Sequence, residues 1–174
     1  SGDYRGQLGD AATLIERDGA FQLREASGSV TAFRPDGKHD FVQDTNGNRI
    51  SAGYTGDQLT SVTHSNGNAL TFEYNAFVRI SQVTDPAGRV AIYDYDATGQ
   101  HLTSVTTVAG TTEYTYSPDA TGPRAHTMTS IAFPSGNHSF FEYDSQGRLA
   151  REQGDGGAAP LTYTYGAASY HIRD

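Results

Sequence analysis

The chain has 174 residues with 20 glycines, no cysteine and no tryptophan, and its 12 basic against 20 acidic side chains leave a formal charge of −8. That length suits one domain; the lack of cysteine excludes a disulfide framework, a thiolate metal site and a thiol nucleophile, and a single lysine, Lys38, among scattered arginines excludes the basic patch that a nucleic-acid binder needs. No run approaches the roughly 18 to 20 apolar residues of a membrane helix, and no basic-then-apolar leader opens the chain. It begins at Ser1 and its one methionine is Met128, which reads as a piece of a longer polypeptide.

In chain order, glycine recurs at 19, 28, 37, 47, 56 and 67, then at 88, 99, 110, 122, 136, 147 and 157, mostly behind a turn former such as Asp18, Asp36, Asn46 or Asn66. The steps match one short strand plus one tight turn. Residues 1–50 read as divergent β-hairpins. Residues 51–165 carry the regular repeat: Leu70-Thr71-Phe72-Glu73-Tyr74, Ala91-Ile92-Tyr93-Asp94-Tyr95, Thr112-Glu113-Tyr114-Thr115-Tyr116, Ser139-Phe140-Phe141-Glu142-Tyr143 and Leu161-Thr162-Tyr163-Thr164-Tyr165, with Tyr54 an earlier, weaker member. Alternation puts each aromatic pair on one face. A second strand type follows the tyrosines: Leu59-Thr60-Ser61-Val62, Ile80-Ser81-Gln82-Val83, Leu102-Thr103-Ser104-Val105 and Met128-Thr129-Ser130-Ile131. Residues 166–174 read as a C-terminal tail.

The 20 threonines and 11 tyrosines favour strand, and no window has a helical apolar period. The expected fold is therefore a single all-β repeat domain over 1–174: antiparallel two-strand repeats of about 21 residues stacked into a curved or spiralling sheet, with essentially no helix. The structural signature is Tyr54, Tyr74, Tyr95, Tyr116, Tyr143 and Tyr165 with the turn glycines Gly67, Gly88, Gly99, Gly110, Gly136 and Gly147. Val78 stands where the series expects glycine, so that turn either changes geometry or carries strain. Between Tyr116 and Met128 a longer connection, Ser117 to Arg124, replaces a tight turn, and Pro118, Asp119 and Arg124 are its candidate contact residues.

Thr84-Asp85-Pro86-Ala87-Gly88-Arg89-Val90-Ala91-Ile92-Tyr93-Asp94-Tyr95-Asp96-Ala97-Thr98-Gly99-Gln100-His101-Leu102 and Phe141-Glu142-Tyr143-Asp144-Ser145-Gln146-Gly147-Arg148-Leu149 resemble the Rhs or YD-repeat family, which includes bacterial polymorphic toxins, toxin-complex components and teneurins. Phe33-Arg34-Pro35-Asp36-Gly37 and Asp44-Thr45-Asn46-Gly47-Asn48-Arg49-Ile50 look like the divergent repeats that precede the regular ones. The resemblance implies an arc of a β-shell around a toxic or otherwise variable domain, in a secreted or cell-surface bacterial protein. The partners it implies are other repeats of the parent chain and the enclosed effector. A sheet cut out of such an array has unpaired edge strands, which invite dimers.

No G-x-S-x-G, H-E-x-x-H or phosphate-cradling glycine loop is present, so no catalytic residue, metal site or cofactor is assigned. The six histidines, at 39, 64, 101, 126, 138 and 171, lack i, i+4 partners. Glu73, Asp94 and Glu142 recur at one repeat position, which suits the solvent face of a strand better than a catalytic pair. Asp44 to Asn48 is oxygen-rich but lacks the spacing of a calcium loop, and Gly154-Asp155-Gly156-Gly157 reads as a turn. Asp85-Pro86-Ala87-Gly88 is similar to part of the motif of the family's autoprotease but sits inside a regular repeat, so no self-cleavage is expected. The alternative to a structural module is a recognition module in which tyrosines stack on sugars or the Ser117 to Arg124 loop meets a glycan or a cell-surface protein.

Overall fold

A computed structural model describes residues 3–5, 11–166 and 170–173. The described residues form seventeen strands and one three-residue 3-10 turn, Asp155–Gly157, with no α-helix. They fall into two compact units. The first holds β1 (Asp3–Arg5), β2 (Thr13–Arg17), β3 (Ala20–Arg24), β4 (Val30–Phe33), β5 (His39–Gln43), β6 (Arg49–Thr55), β7 (Gln58–His64) and most of β8 (Ala69–Tyr74), each antiparallel to the next. Strand β9 (Ile80–Thr84) straddles the division, residues 80–82 belonging to the second unit. That unit continues through β10 (Val90–Tyr95), β11 (Leu102–Thr107), β12 (Gly110–Tyr116), β13 (Met128–Ala132), β14 (His138–Tyr143), β15 (Leu149–Gly154), β16 (Leu161–Tyr165) and β17 (Tyr170–Arg173), again antiparallel neighbours throughout.

Sequence order is thus pairing order within each unit, as tight turns dictate. The recurring turn is a type I pattern closed by a left-handed residue: Gly37 N–H donates to Arg34 O (2.9 Å) and Arg34 N–H to Lys38 O (2.8 Å), and the same pair of bonds recurs around Gly28, Gly47, Gly67, Gly136 and Gly147. At Val78 the turn keeps this geometry, with Val78 N–H on Asn75 O (3.0 Å) and φ +60°. A β-branched residue there is strained, and Val78 is 63% exposed, so its side chain returns little packing. Val78→Gly is expected to stabilise the fold by about 1 kcal/mol, read as a higher melting temperature; a lower one would contradict the strain.

Register shifts fall at one repeat position. Ladder pairing slips between Ala32 and Phe33, Gly53 and Tyr54, Asp94 and Tyr95, Thr115 and Tyr116, and Glu142 and Tyr143. In β11 the slip skips Thr103, so Leu102 faces Tyr95 while Val105 faces Tyr93. Without it the first and fourth residues of Leu-Thr-Ser-Val would point to opposite faces. The bulge places both beside the tyrosines. Burial remains shallow: among the described residues only Ala32, 3% exposed, and Gly99 are buried, and the aromatic face is half-covered by its own neighbours.

Candidate functional site

Four of the repeat tyrosines are held by their hydroxyls. Tyr95 donates to Ile80 O (3.0 Å), Tyr116 to Leu102 O (2.9 Å), Tyr143 to Met128 O (2.8 Å) and Tyr165 to Leu149 O (2.7 Å). Each acceptor is the first residue of the preceding odd-numbered strand. For β11–β12 the ladder stops at Ser104 opposite Glu113, so the Tyr116 hydroxyl reaches a carbonyl beyond its last paired residues. The Tyr116 backbone meanwhile lies in register with Met128 of β13. One residue, through its hydroxyl and its backbone, therefore ties three strands. Burial pushes the Tyr116 and Tyr143 hydroxyls up from their ordinary titration range, which keeps them donors. Tyr54 instead lies under the cations of Arg34 and Lys38, 5.3 and 5.5 Å from its ring centre.

The residue after the tyrosine organises the turn. One carboxylate or amide oxygen of Asn75, Asp96 and Asp144, and likewise of Asp44, accepts the backbone N–H groups two and four residues on at 2.8–3.1 Å. This gives the tyrosine-aspartate pair a physical meaning: the first residue clamps the previous strand and the second closes the next turn. Asp44 also accepts Asn48 Nδ2 (2.7 Å), so its oxygens are engaged in its own turn.

Hydrogen bonds hold four turn carboxyls below the usual carboxylate range: from the Lys38 backbone to Asp36, from the Asn48 side chain to Asp44, from His101 to Asp96, and from the Arg148 backbone to Asp144. A depressed folded value means that their contribution is complete above the unfolded value, about 3.9, and is lost as pH falls through the folded ones. Thermal stability is expected to hold at mildly acidic pH and to fall below about pH 4. A melting temperature unchanged down to pH 2 would contradict it.

Basic residues after the turn residue reach toward the next repeat. Lys38 Nζ bonds Gly56 O (3.0 Å) and Asp57 (2.5 Å), Arg79 Nε bonds Gly99 O (3.2 Å), and the Arg148 guanidinium lies over the Tyr165 ring (4.3 Å) while pairing with Asp144 (2.7 Å).

The long loop forms one wall of an open cleft of about 470 Å³, lined by Ser117, Pro118, Asp119, Arg124, Thr127, Thr129, Phe141, Glu142 and Tyr143. Arg124 Nε sits 3.3 Å from Asp119 Oδ2, and the loop closes through Ser117 N–H on Thr127 O (2.8 Å). Pro118, Asp119 and Arg124 thus come together, and the loop brings to them Glu142 and Tyr143 of β14. Asp94 and Glu142 do not converge: they stand on strands four apart, about 19 Å at sheet spacing, and Asp94 accepts Ser104 Oγ (2.9 Å). That exceeds the separation of a glycosidase pair.

The histidines give a different result from their sequence spacing. His101 Nδ1 lies 2.6 Å from Asp96 Oδ2, and His101 Nε2 lies 2.8 Å from Nδ1 of His126, across 25 residues. The His101 ring also rests on Tyr116, 4.5 Å between centres. His138 pairs with Asp155 (2.9 Å), and the side chain of His171 lies outside the described residues. Among the described residues no three histidines, aspartates or glutamates are grouped to hold a metal.

Residues 54–90 match the family model for the RHS Repeat. The fold is similar to that of the Tc holotoxin pore of Photorhabdus luminescens carrying a TccC3 mutation, with 16% identity, a TM-score of 0.61, and 87% of this chain and 9% of that one covered. It is similar also to TcdB2-TccC3 without its hypervariable C-terminal region (16% identity, TM-score 0.64, 92% and 10% covered) and to TcdB2-TccC3-Cdc42 (16%, 0.63, 92% and 10%). The chain therefore spans about a tenth of the length of these structures. No curated protein matches it by sequence.

Proposed function

We propose that this structural repeat module is a non-catalytic wall segment of an Rhs-type shell, which encloses or presents an effector domain in a secreted or cell-surface bacterial protein. The observation that carries the reading is the recurring tyrosine hydroxyl bond to the preceding strand at Tyr95, Tyr116, Tyr143 and Tyr165. Side chains spent on joining one repeat to the last build an extended wall, and repeat arrays of this kind stabilise each unit through its neighbours. Apolar residues left at the surface, such as Val42, Ile50 and Leu70 in the first unit and Ile92 and Phe140 in the second, suit a layer that meets other parts of its parent chain. The likeness to TcdB2-TccC3 structures supports the same architecture.

Limited proteolysis of the natural polypeptide containing these residues tests it. An effector segment should resist protease while the repeats are folded and become sensitive when they are unfolded; equal cleavage in both states would sink the reading. The second reading, recognition of a glycan or a cell-surface protein, is favoured by the polar cleft between the long loop and β14. Binding to a glycan array lost in Glu142→Gln and Arg124→Ala, with melting temperature unchanged, would select it.

A further inference from the structure

Two turns of this chain are clasped to the next by a residue of fixed charge, Lys38 and Arg79, while Arg148 pairs within its own turn and lies over Tyr165 of β16. The turn that opens at Asp96 is built differently. Gln100 follows Gly99, Asp96 N–H reaches one residue further to His101 O (2.9 Å), and the side chain facing the next connection is the imidazole of His101. What it meets is a second imidazole, that of His126, at the far end of the 117–127 loop.

The geometry points to a proton-operated clasp: the Asp96–His101–His126 chain holds the 117–127 loop against the neighbouring turn while one of the two facing ring nitrogens lacks a proton, and releases it when both carry one. Asp96 Oδ2 fixes a proton on His101 Nδ1, which leaves Nε2 as the atom that meets His126. The 2.8 Å contact needs one N–H and one lone pair. With both rings neutral, or with one imidazolium, that requirement is met. With both protonated, two N–H groups face each other and two cations adjoin, so the last proton binds only when the contact opens. The backbone favours release, since His126 sits at φ +63°, a conformation that costs a residue other than glycine.

Other charges around the pair are already engaged. Asp96 also accepts the Thr98 and Gln100 N–H groups, Arg124 of the loop pairs with Asp119, and the turn packed on Pro123 carries the Asp144–Arg148 pair. Tyr116, the titratable group against the His101 ring, is pushed upward and stays neutral. Because the same loop walls the cleft, the clasp also sets the shape of that cleft.

Hydrogen exchange across residues 117–127, corrected for the intrinsic effect of pH, tests the proposal. Between pH 6.5 and 5 the protection of the loop should fall by about tenfold per pH unit, the slope for one linked proton. The turn around Gly56 and Asp57, held by Lys38, should not change. His126→Asn keeps a side chain that tolerates left-handed backbone and cannot titrate, so its loop should stay protected at pH 5. The proposal is overturned if protection in the unmodified chain does not depend on pH, or if the same fall persists in both His126→Asn and His101→Gln. Should the asparagine variant leave the loop open at both pH values, ring signals in NMR decide: loop release must coincide with titration of His126 and His101, and release without it refutes the clasp.

Discussion

Tyr95→Ala is expected to lower the free energy of unfolding by about 2–3 kcal/mol, and Tyr95→Phe by about 1 kcal/mol. The ring is half-buried against Leu102, so its removal costs less than truncation in a closed core but more than any surface change. The smaller figure isolates the hydroxyl, whose bond to Ile80 O at 3.0 Å is made to a carbonyl at the start of β9. Urea titrations give both numbers from the shift of the midpoint. The difference between the two variants is informative: if phenylalanine equals tyrosine, the clamp contributes no stability and the ring packing alone explains why the residue recurs.

Gly147→Ala is expected to cost about 3 kcal/mol, whereas Gly67→Ala is expected to cost about 1 kcal/mol. Both glycines lie at positive φ, +76° and +94°, so alanine is strained at each. Open space surrounds a Cβ at Gly67, but at Gly147 it would run into the backbone carbonyl of Pro123. A carbonyl fixed in the 117–127 loop has no flexible end to give way, so the loop itself must shift. Equal costs at the two positions would show that the loop does not pack on that turn as described.

The hairpin repeat was legible because each strand is short and each turn signals itself within four residues. Asp96 to Gly99 or Asp144 to Gly147 can be recognised without any partner, and the glycine series singles out Val78, whose turn the structure shows to keep its geometry at positive φ. The bulges were not legible. Simple alternation assigns Leu102 and Val105 to opposite faces, and only the slip at Thr103 reunites them, because a bulge is set by how two strands meet rather than by either alone. The hydroxyl clamps depend on the same meeting.

The candidate site divides in the same way. Pro118, Asp119 and Arg124 stood out because their loop outgrows its neighbours, but Glu142 and Tyr143 enter the cleft from β14, and no local pattern links them. An i, i+4 spacing marks ligands carried on one element, whereas His101 and His126 meet across 25 residues through a loop whose path sequence does not specify. The one local signal was the extra residue between Gly99 and His101, which breaks the glycine-then-cation order seen at Lys38 and Arg148.

These residues are proposed to form part of a wall. Single-particle imaging of the natural polypeptide that contains them tests this most directly. Residues 11–166 are expected as consecutive hairpins continuous with further repeats, with a sheet face of each unit turned toward density for an enclosed domain. Finding the same hairpins standing apart from other repeats, with both faces in solvent, would contradict it.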